Sequence, residues 1–245
     1  MIVAISGMTV DQNGELGNAG SGKSTVAKQL VNDHGFVEVS LADPLKRIIQ
    51  EVYDFSDEQL WGPSEARNAP DMRYPREDGE YLTPRYALQK LGTEWGRDCY
   101  KDTWVELLVR TAKKIASGNY MYDVKSGLRQ AIVPADFRGN MRTKTDVVVP
   151  DVRFKGELSY LRASGAYLVR VVRPVVELAV PNTHVSEYDL SDVQDTEFDI
   201  VIENNEGLLH LQRLVALVVR RLEEHRAPYR DNTALFDGEL VKRTL

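Results

Sequence analysis

The sequence predicts an α/β fold: a three-layer, doubly wound parallel sheet with a phosphate-binding loop near its start. Three observations carry this. Gly17-Asn18-Ala19-Gly20-Ser21-Gly22-Lys23-Ser24 has the form G-x-x-x-x-G-K-[ST] and lies close behind the apolar run Ile2 to Ile5. Short continuous apolar runs recur, as expected of strands buried on both faces of a parallel sheet. Segments with apolar residues at helical spacing stand between them, and that alternation places helices on both faces through right-handed crossovers.

The elements follow in order. Ile2 to Ile5 is the first strand, and Gly7 to Leu16 separate it from the loop. Asp11-Gln12-Asn13-Gly14 is a turn signal, so a small excursion such as a hairpin is expected there. Either Gly7 or Gly17 then opens the phosphate loop, and the excursion is expected to project from the mouth of the site without joining the cradle. Val26 to Leu30 continue the first helix, with Gly35 as its stop, and Phe36 to Val39 read as a second strand. Asp43-Pro44 is an N-cap and N1 pair opening a helix through Ile48, Ile49 and Val52. Ser56 to Tyr81 is polar and without clear periodicity. Thr83-Pro84 opens a helix that Gly92 stops; Asp102 caps a longer one, carrying Trp104, Leu107, Leu108, Thr111 and Ile115. Val147 to Val149, Tyr167 to Val172 and Ile200 to Ile202 are strands; Lys155 to Ala163 and Gly207 to Glu224 are helices.

Composition narrows the function. A net charge of −6 argues against a broad nucleic-acid footprint. The single cysteine, Cys99, excludes an internal disulfide and a cysteine-rich zinc site. The start of the chain lacks a secretory-signal pattern, and no apolar run is long enough to span a membrane. A cytoplasmic protein without membrane contact is expected.

The chemistry begins at the loop. Its glycines turn backbone N–H groups toward anionic oxygens, and the helix behind them adds its positive end. Gly20, Ser21, Gly22, Lys23, Ser24 and Thr25 are the candidate ATP-phosphate residues; Lys23 reaches the β and γ phosphates and the Ser24 hydroxyl joins a Mg²⁺ shell. Asp151, just past the apolar strand, faces the ligand crevice of an open parallel sheet. There it holds Mg²⁺ water or accepts a proton from the attacking group; the alternative is a cap on the next helix. Arg153 either neutralises phosphate oxygens or is a solvated surface arginine. Arg85 and Gln89 share a helical face, and Gly92-Thr93-Glu94-Trp95-Gly96-Arg97 packs polar groups into a turn. Trp104 is either core or a base-stacking platform. Arg173, at a strand end before Pro174, is the candidate lid arginine, whereas Arg170 within the strand is equally readable as structural. With four histidines scattered along the chain, His184 and Glu187 read as a local bond rather than a metal pair. Asn204 to Gly207 either borders an adenine or starts the final helix.

In order, Ala19 to Thr25, Leu41-Ala42-Asp43-Pro44-Leu45-Lys46, Leu88-Gln89-Lys90-Leu91-Gly92-Thr93-Glu94, Val149-Pro150-Asp151-Val152-Arg153-Phe154, Val171 to Pro174, Thr183-His184-Val185-Ser186-Glu187 and the Asn204 to Gly207 turn make a specific combination. With it the chain resembles the deoxynucleoside monophosphate kinases of tailed bacteriophages, members of the P-loop nucleoside monophosphate kinase group. The resemblance implies ATP-dependent phosphorylation of a dNMP to a dNDP, with Mg²⁺ and without a covalent intermediate. It implies catalytic roles for Lys23, Asp151, Arg153 and Arg173, with Ser24 and Asp151 serving the metal, partly through water. It implies acceptor binding by Asp43, Lys46, Arg67, Arg85, Gln89, Thr93, Glu94, Arg97 and Trp104. One kinase domain over residues 1–225 is expected, with a helical monophosphate-binding insertion at about 44–118 and a lid at about 174–196, then a polar tail at 226–245. The chain departs from the family pattern at the Met8 to Leu16 excursion and at the basic stretch Met121 to Lys144, which reads as a second lid or an assembly element. A dephospho-coenzyme A kinase or another small-metabolite kinase is the nearest alternative, and a DNA-handling ATPase a more distant one. Base and sugar preference, and whether the protein forms a homodimer, are left open by the sequence; if the protein is of phage origin, its cytoplasm is the host's.

Overall fold

The computed structural model describes residues 1–10, 16–17, 20–131, 145–174 and 189–226. Its sheet is built on β1 (Ile2–Val10), whose apolar run is buried on both sides. β1 extends well past Ile5, and β2 (Leu16–Gly17) returns antiparallel beside it, pairing Thr9 with Gly17 and Val10 with Leu16. The excursion is therefore a hairpin, with its tip outside the described residues. Gly7 lies inside β1, opposite Val171, so the loop opens after Gly17 and not at Gly7.

The other strands are β3 (Val37–Glu38), β8 (Val147–Val149), β9 (Tyr167–Pro174) and β10 (Ile200–Glu203). In space they run β10-β9-β1-β8-β3, every neighbouring pair parallel. The chain visits β3 and β8 on one side of β1, then crosses to β9 and β10 on the other. The order thus reverses at β1, the place where an open α/β sheet leaves a crevice beyond its strand ends.

Alternation along β1 divides the core into two layers. Ile2 and Ala4 face α6 (Thr103–Ala116) and α7 (Lys155–Ala163), through Leu108, Ile115 and Leu161. Val3 and Ile5 face α1 (Lys23–His34) and α8 (Leu208–Arg226), through Leu30, Leu214 and Val218. Helix, sheet and helix make the three layers that the alternating pattern predicts.

A satellite core lies between β3 and α6. α2 (Asp43–Tyr53), α3 (Asp57–Trp61), α4 (Ser64–Asn68) and α5 (Pro84–Lys90), with the pair β4 (Asp71–Pro75) and β5 (Tyr81–Leu82), enclose Ile49, Phe55, Leu60, Leu82 and Ala87. The two short helices and the strand pair occupy the stretch where periodicity predicts nothing. α3 has a full capping box, Ser56 with Gln59. Thr83 caps α5 as expected. Asp43 is the first residue of α2 rather than its cap, and its carboxylate accepts from Ser40 N–H at 2.9 Å and from Tyr122 O–H at 2.7 Å. Tyr122 belongs to a hairpin, β6 (Tyr120–Asp123) and β7 (Gly127–Gln130), that occupies the described start of the basic stretch. The remainder of that stretch, most of the expected lid and almost all of the tail lie outside the described residues.

Two further expectations are corrected. Gly92 does not stop the chain's helical course. Leu91–Arg97 continues as a π-helix, because Trp104 of α6 donates its indole N–H to Gly92 O at 2.8 Å and lies against Gly96. A Cβ on Gly96 would sit 2.4 Å from that indole ring. Asp102 precedes α6 without a side-chain capping bond.

Arg170 resolves as structural. It is buried in β9, donates to Leu190 O, Val193 O and Asp195 Oδ1 at 2.6–3.0 Å, and stacks on Phe198. It fastens the stretch that leads into β10.

Two stability predictions follow from these contacts. Gly96→Ala should lower stability by about 1–3 kcal/mol, the usual cost of overpacking a filled site, read as a drop in Tm. Arg170→Met should cost about 2–4 kcal/mol by stranding buried carbonyls, read by denaturant unfolding; a midpoint like the wild type's would show that the 189–198 stretch is held by other contacts.

Candidate active site

The phosphate loop meets α1 at Gly22, which adopts the left-handed region (φ 101°). A Cβ there would meet Asn204 Nδ2 at 2.6 Å, so glycine is required by conformation and by space. Asn204, buried at the end of β10, donates from that nitrogen to Ser21 O at 2.9 Å. Thr25 N–H and Val26 N–H both donate to Gly22 O, opening the helix without a side-chain cap. Gly20, Gly22, Lys23, Ser24, Thr25, Arg173, Asn204, Gly207, Leu208 and Leu211 line a cavity of about 430 Å³ here. Arg173, the next-to-last residue of β9, donates to Gly20 O at 3.3 Å.

A second cavity of about 220 Å³ opens on the other side of the strand ends. Ser40, Leu41, Ala42 and Leu45 form one wall; Leu88, Gln89, Gly92, Thr93 and Arg97 form another; Trp104, Asp151, Arg153, Phe154 and Glu157 complete it. A largely apolar pocket with a few converging polar groups has the character of a small-molecule site.

Asp151 of the second cavity touches Lys23 of the first. Its Oδ1 lies 3.6 Å from Nζ of the buried Lys23, and its Oδ2 accepts from Arg153 Nε at 2.7 Å. Oδ1 is buried and has no hydrogen bond of its own. The carboxylate is set in place by the neighbouring backbone, since Val152 N–H donates to Ile5 O of β1.

The structure thus gathers Gln89, Thr93, Arg97, Trp104, Asp151 and Arg153 around the second cavity, and Gly20, Gly22, Lys23, Ser24, Thr25 and Arg173 around the first. Ser21 is buried in the loop beneath Asn204. Trp104 is both core and cavity wall, so its two readings coincide. The other candidates lie outside these linings. Asp43 is tied to Ser40 and Tyr122, and burial raises its carboxyl above the ordinary range. Lys46 stacks over Trp61; burial lowers its pKa, opposed by Asp43 and reinforced by Arg67. Arg67 donates to Gly62 O at 2.6 Å, Arg85 binds Ser64 and Asn68, and Glu94 pairs with Lys90.

Sequence reasoning missed Glu157. It is the third residue of α7, buried, and accepts from Arg153 N–H, Phe154 N–H and Arg97 Nη2. Burial raises its pKa against the pull of those donors. A signal existed, because a glutamate three places into a helix is half of a capping box, but its partner Arg97 is far away in the sequence.

The deoxynucleotide monophosphate kinase family model matches residues 77–215. A putative deoxynucleotide monophosphate kinase of Acanthamoeba polyphaga mimivirus is 34% identical over 201 residues, 80% of this chain and 89% of that one. Among solved structures, dephospho-CoA kinase from Campylobacter jejuni aligns over 93% of this chain and 100% of its own at 11% identity, with a TM-score of 0.43. Among the described residues, no helix is long and apolar enough to cross a membrane. The family match spans more than half of the chain and the viral relative four fifths of it, so the chain belongs to the deoxynucleotide monophosphate kinase family.

Proposed function

We propose that the protein transfers the γ-phosphoryl group of ATP to a deoxynucleoside 5′-monophosphate, with ATP in the larger cavity and the acceptor in the smaller one. The observation that carries this is the Lys23–Asp151 contact at the junction of the two. Phosphoryl transfer needs its two oxygens in line across the phosphorus, and little covalent help beyond that. Two cavities that meet at one lysine and one carboxylate supply such a line.

Each side chain then has a task. Backbone N–H groups of the loop and the start of α1 receive the donor phosphates. A triphosphate offers Lys23 oxygen partners in place of Asp151. Arg173, held over the loop by Gly20 O, is placed for charge developing on the transferred group. Arg153 and Arg97 face the acceptor, each oriented by a carboxylate, while Leu45, Leu88 and Trp104 give its base an apolar bed.

Mg²⁺ suits the residues present. Asp151 Oδ1 is a buried acceptor without a hydrogen bond, and the Ser24 hydroxyl lines the donor cavity. That matches the preference of Mg²⁺ for one or two protein oxygens plus phosphates and water. Ser24 and Asp151 would hold the ion, which would supply charge neutralisation to the phosphate oxygens.

Lys23→Ala should reduce dNMP-dependent ADP release by roughly two orders of magnitude or more, the scale for losing a charge-stabilising donor. A coupled assay across dNMPs, rNMPs and dephospho-coenzyme A, with products identified, checks both the loss and the acceptor class. Near-normal turnover in the variant, or phosphorylation of dephospho-coenzyme A alone, would sink this reading.

A further inference from the structure

We infer that Glu157 is a positioning residue for the acceptor site: it holds Arg97 in place and fixes the backbone that follows Asp151. The inference rests on the acceptor assignment above and adds a residue to it.

A glutamate at the third position of a helix ordinarily reaches back to the cap N–H at the surface. Glu157 does more. Oε2 accepts from Phe154 N–H at 3.2 Å and from Arg153 N–H at 3.0 Å, and Oε1 accepts from Arg97 Nη2 at 2.9 Å. Its side chain is only 9% exposed. A buried carboxylate is costly unless its oxygens are satisfied, and these three donors satisfy it. Two of them belong to the turn leaving β8 and the third to the π-helix.

Arg97 is therefore fixed in two ways. Its guanidinium lies 3.9 Å above the Phe154 ring, which sets the plane, and Glu157 sets the edge. The backbone that carries it is set by Gly96 against Trp104. A long, flexible side chain is thereby ordered before any ligand arrives, which lowers the entropy lost on binding.

The same pair is a partition. Arg97, Trp104, Phe154 and Glu157 line the acceptor cavity on one side and a cavity of about 300 Å³ on the other. Releasing Arg97 removes both a donor and a wall. Oε2 meanwhile fixes the Arg153 N–H, one step from the bond between Val152 N–H and Ile5 O. The backbone directly after Asp151 is thus held at two successive N–H groups.

Glu157→Gln separates this role from plain capping. The amide oxygen keeps the two backbone bonds, since glutamine also completes a capping box. Its NH₂ then faces Arg97, donor against donor. The KM for dNMP should rise about tenfold, the scale of one charge-assisted hydrogen bond. The KM for ATP should stay within about twofold, while Tm falls by a few degrees because the folded protein loses the same Arg97 contact. In an Arg97→Met background, Glu157→Gln should add almost nothing to the KM for dNMP, because coupled groups are not additive. Phe154→Leu, which spares the carboxylate and removes the stacking plane, should raise the same KM.

An unchanged KM for dNMP in Glu157→Gln, or independent multiplication of the two effects in the double variant, overturns the inference while the kinase assignment stands. Wild-type enzyme without dNMP-dependent ADP release overturns that assignment and this inference together.

Discussion

A parallel sheet delivers the carboxyl end of every strand to one edge, and here β1 sets which residues arrive there together. Pairing Ala4 with Val149 leaves Asp151 just beyond β8, and the bond from Val152 N–H to Ile5 O keeps it beside β1. Pairing Thr9 with Arg173 brings the arginine to the same edge from the other side. Pairing Glu203 with Val172 does so for Asn204, which grips the loop at Ser21. Lys23, Asp151, Arg173 and Asn204 are far apart in sequence, yet none depends on a long loop finding its place. A one-residue slip on either side of β1 would turn the core residues of that strand to the opposite face. The register that buries the core is the register that assembles the site.

Buried charge is handled differently in the core and at the crevice. Arg170 is enclosed by carbonyls, Asp195 and Phe198, and such a cation can only stay where it is. At the crevice, charged groups pair with one another: Lys23 with Asp151, Asp151 with Arg153, Arg97 with Glu157. The Lys23 contact, at 3.6 Å and with no hydrogen bond on Asp151 Oδ1, is the loosest of these. It is the pairing that a triphosphate can replace at the least expense. The Arg97 pair is tight and stacked, which suits a group that should not move.

The sequence made the sheet legible because buried parallel strands are short, apolar and β-branched, and Val147 to Val149 could be little else. The phosphate loop was legible because its chemistry is local: glycines, a lysine and a hydroxyl in consecutive positions. Asp151 and Arg173 were legible by place, at the ends of predicted strands. What stayed hidden depends on contacts between distant segments. The π-helix arises from Trp104 against Gly92 and Gly96, which no local propensity encodes: Gly92, which looked like a stop, accepts the indole N–H at its carbonyl, and Gly96 leaves room for the ring. The small helices α3 and α4 are too short for periodicity to register. Glu157 was missed: its place in the helix carries a local capping signal, but its hold on Arg97 joins segments far apart in sequence.

The two halves of the site also differ in how widely their chemistry can be shared. The proposed donor cavity is lined by three glycines, Gly20, Gly22 and Gly207, and the start of α1, with Asn204 gripping the Ser21 carbonyl. Such a cradle recognises polyphosphate whatever the acceptor. The proposed acceptor cavity is built of side chains from α2, α5, the π-helix, α6 and the turn after β8. Its shape requires Gly92, Gly96 and Trp104 to fit one another, and Arg97 to find Glu157. The family model matches residues 77–215, which takes in the π-helix, Trp104, the Asp151 turn and Glu157 but not the phosphate loop at Gly17 to Ser24. This is where a family-specific signal should lie if the acceptor pocket is what sets these kinases apart. In the proposed reading the loop accounts for the polyphosphate of the donor, and the packing of the π-helix against α6 and α7 for the acceptor that would meet it.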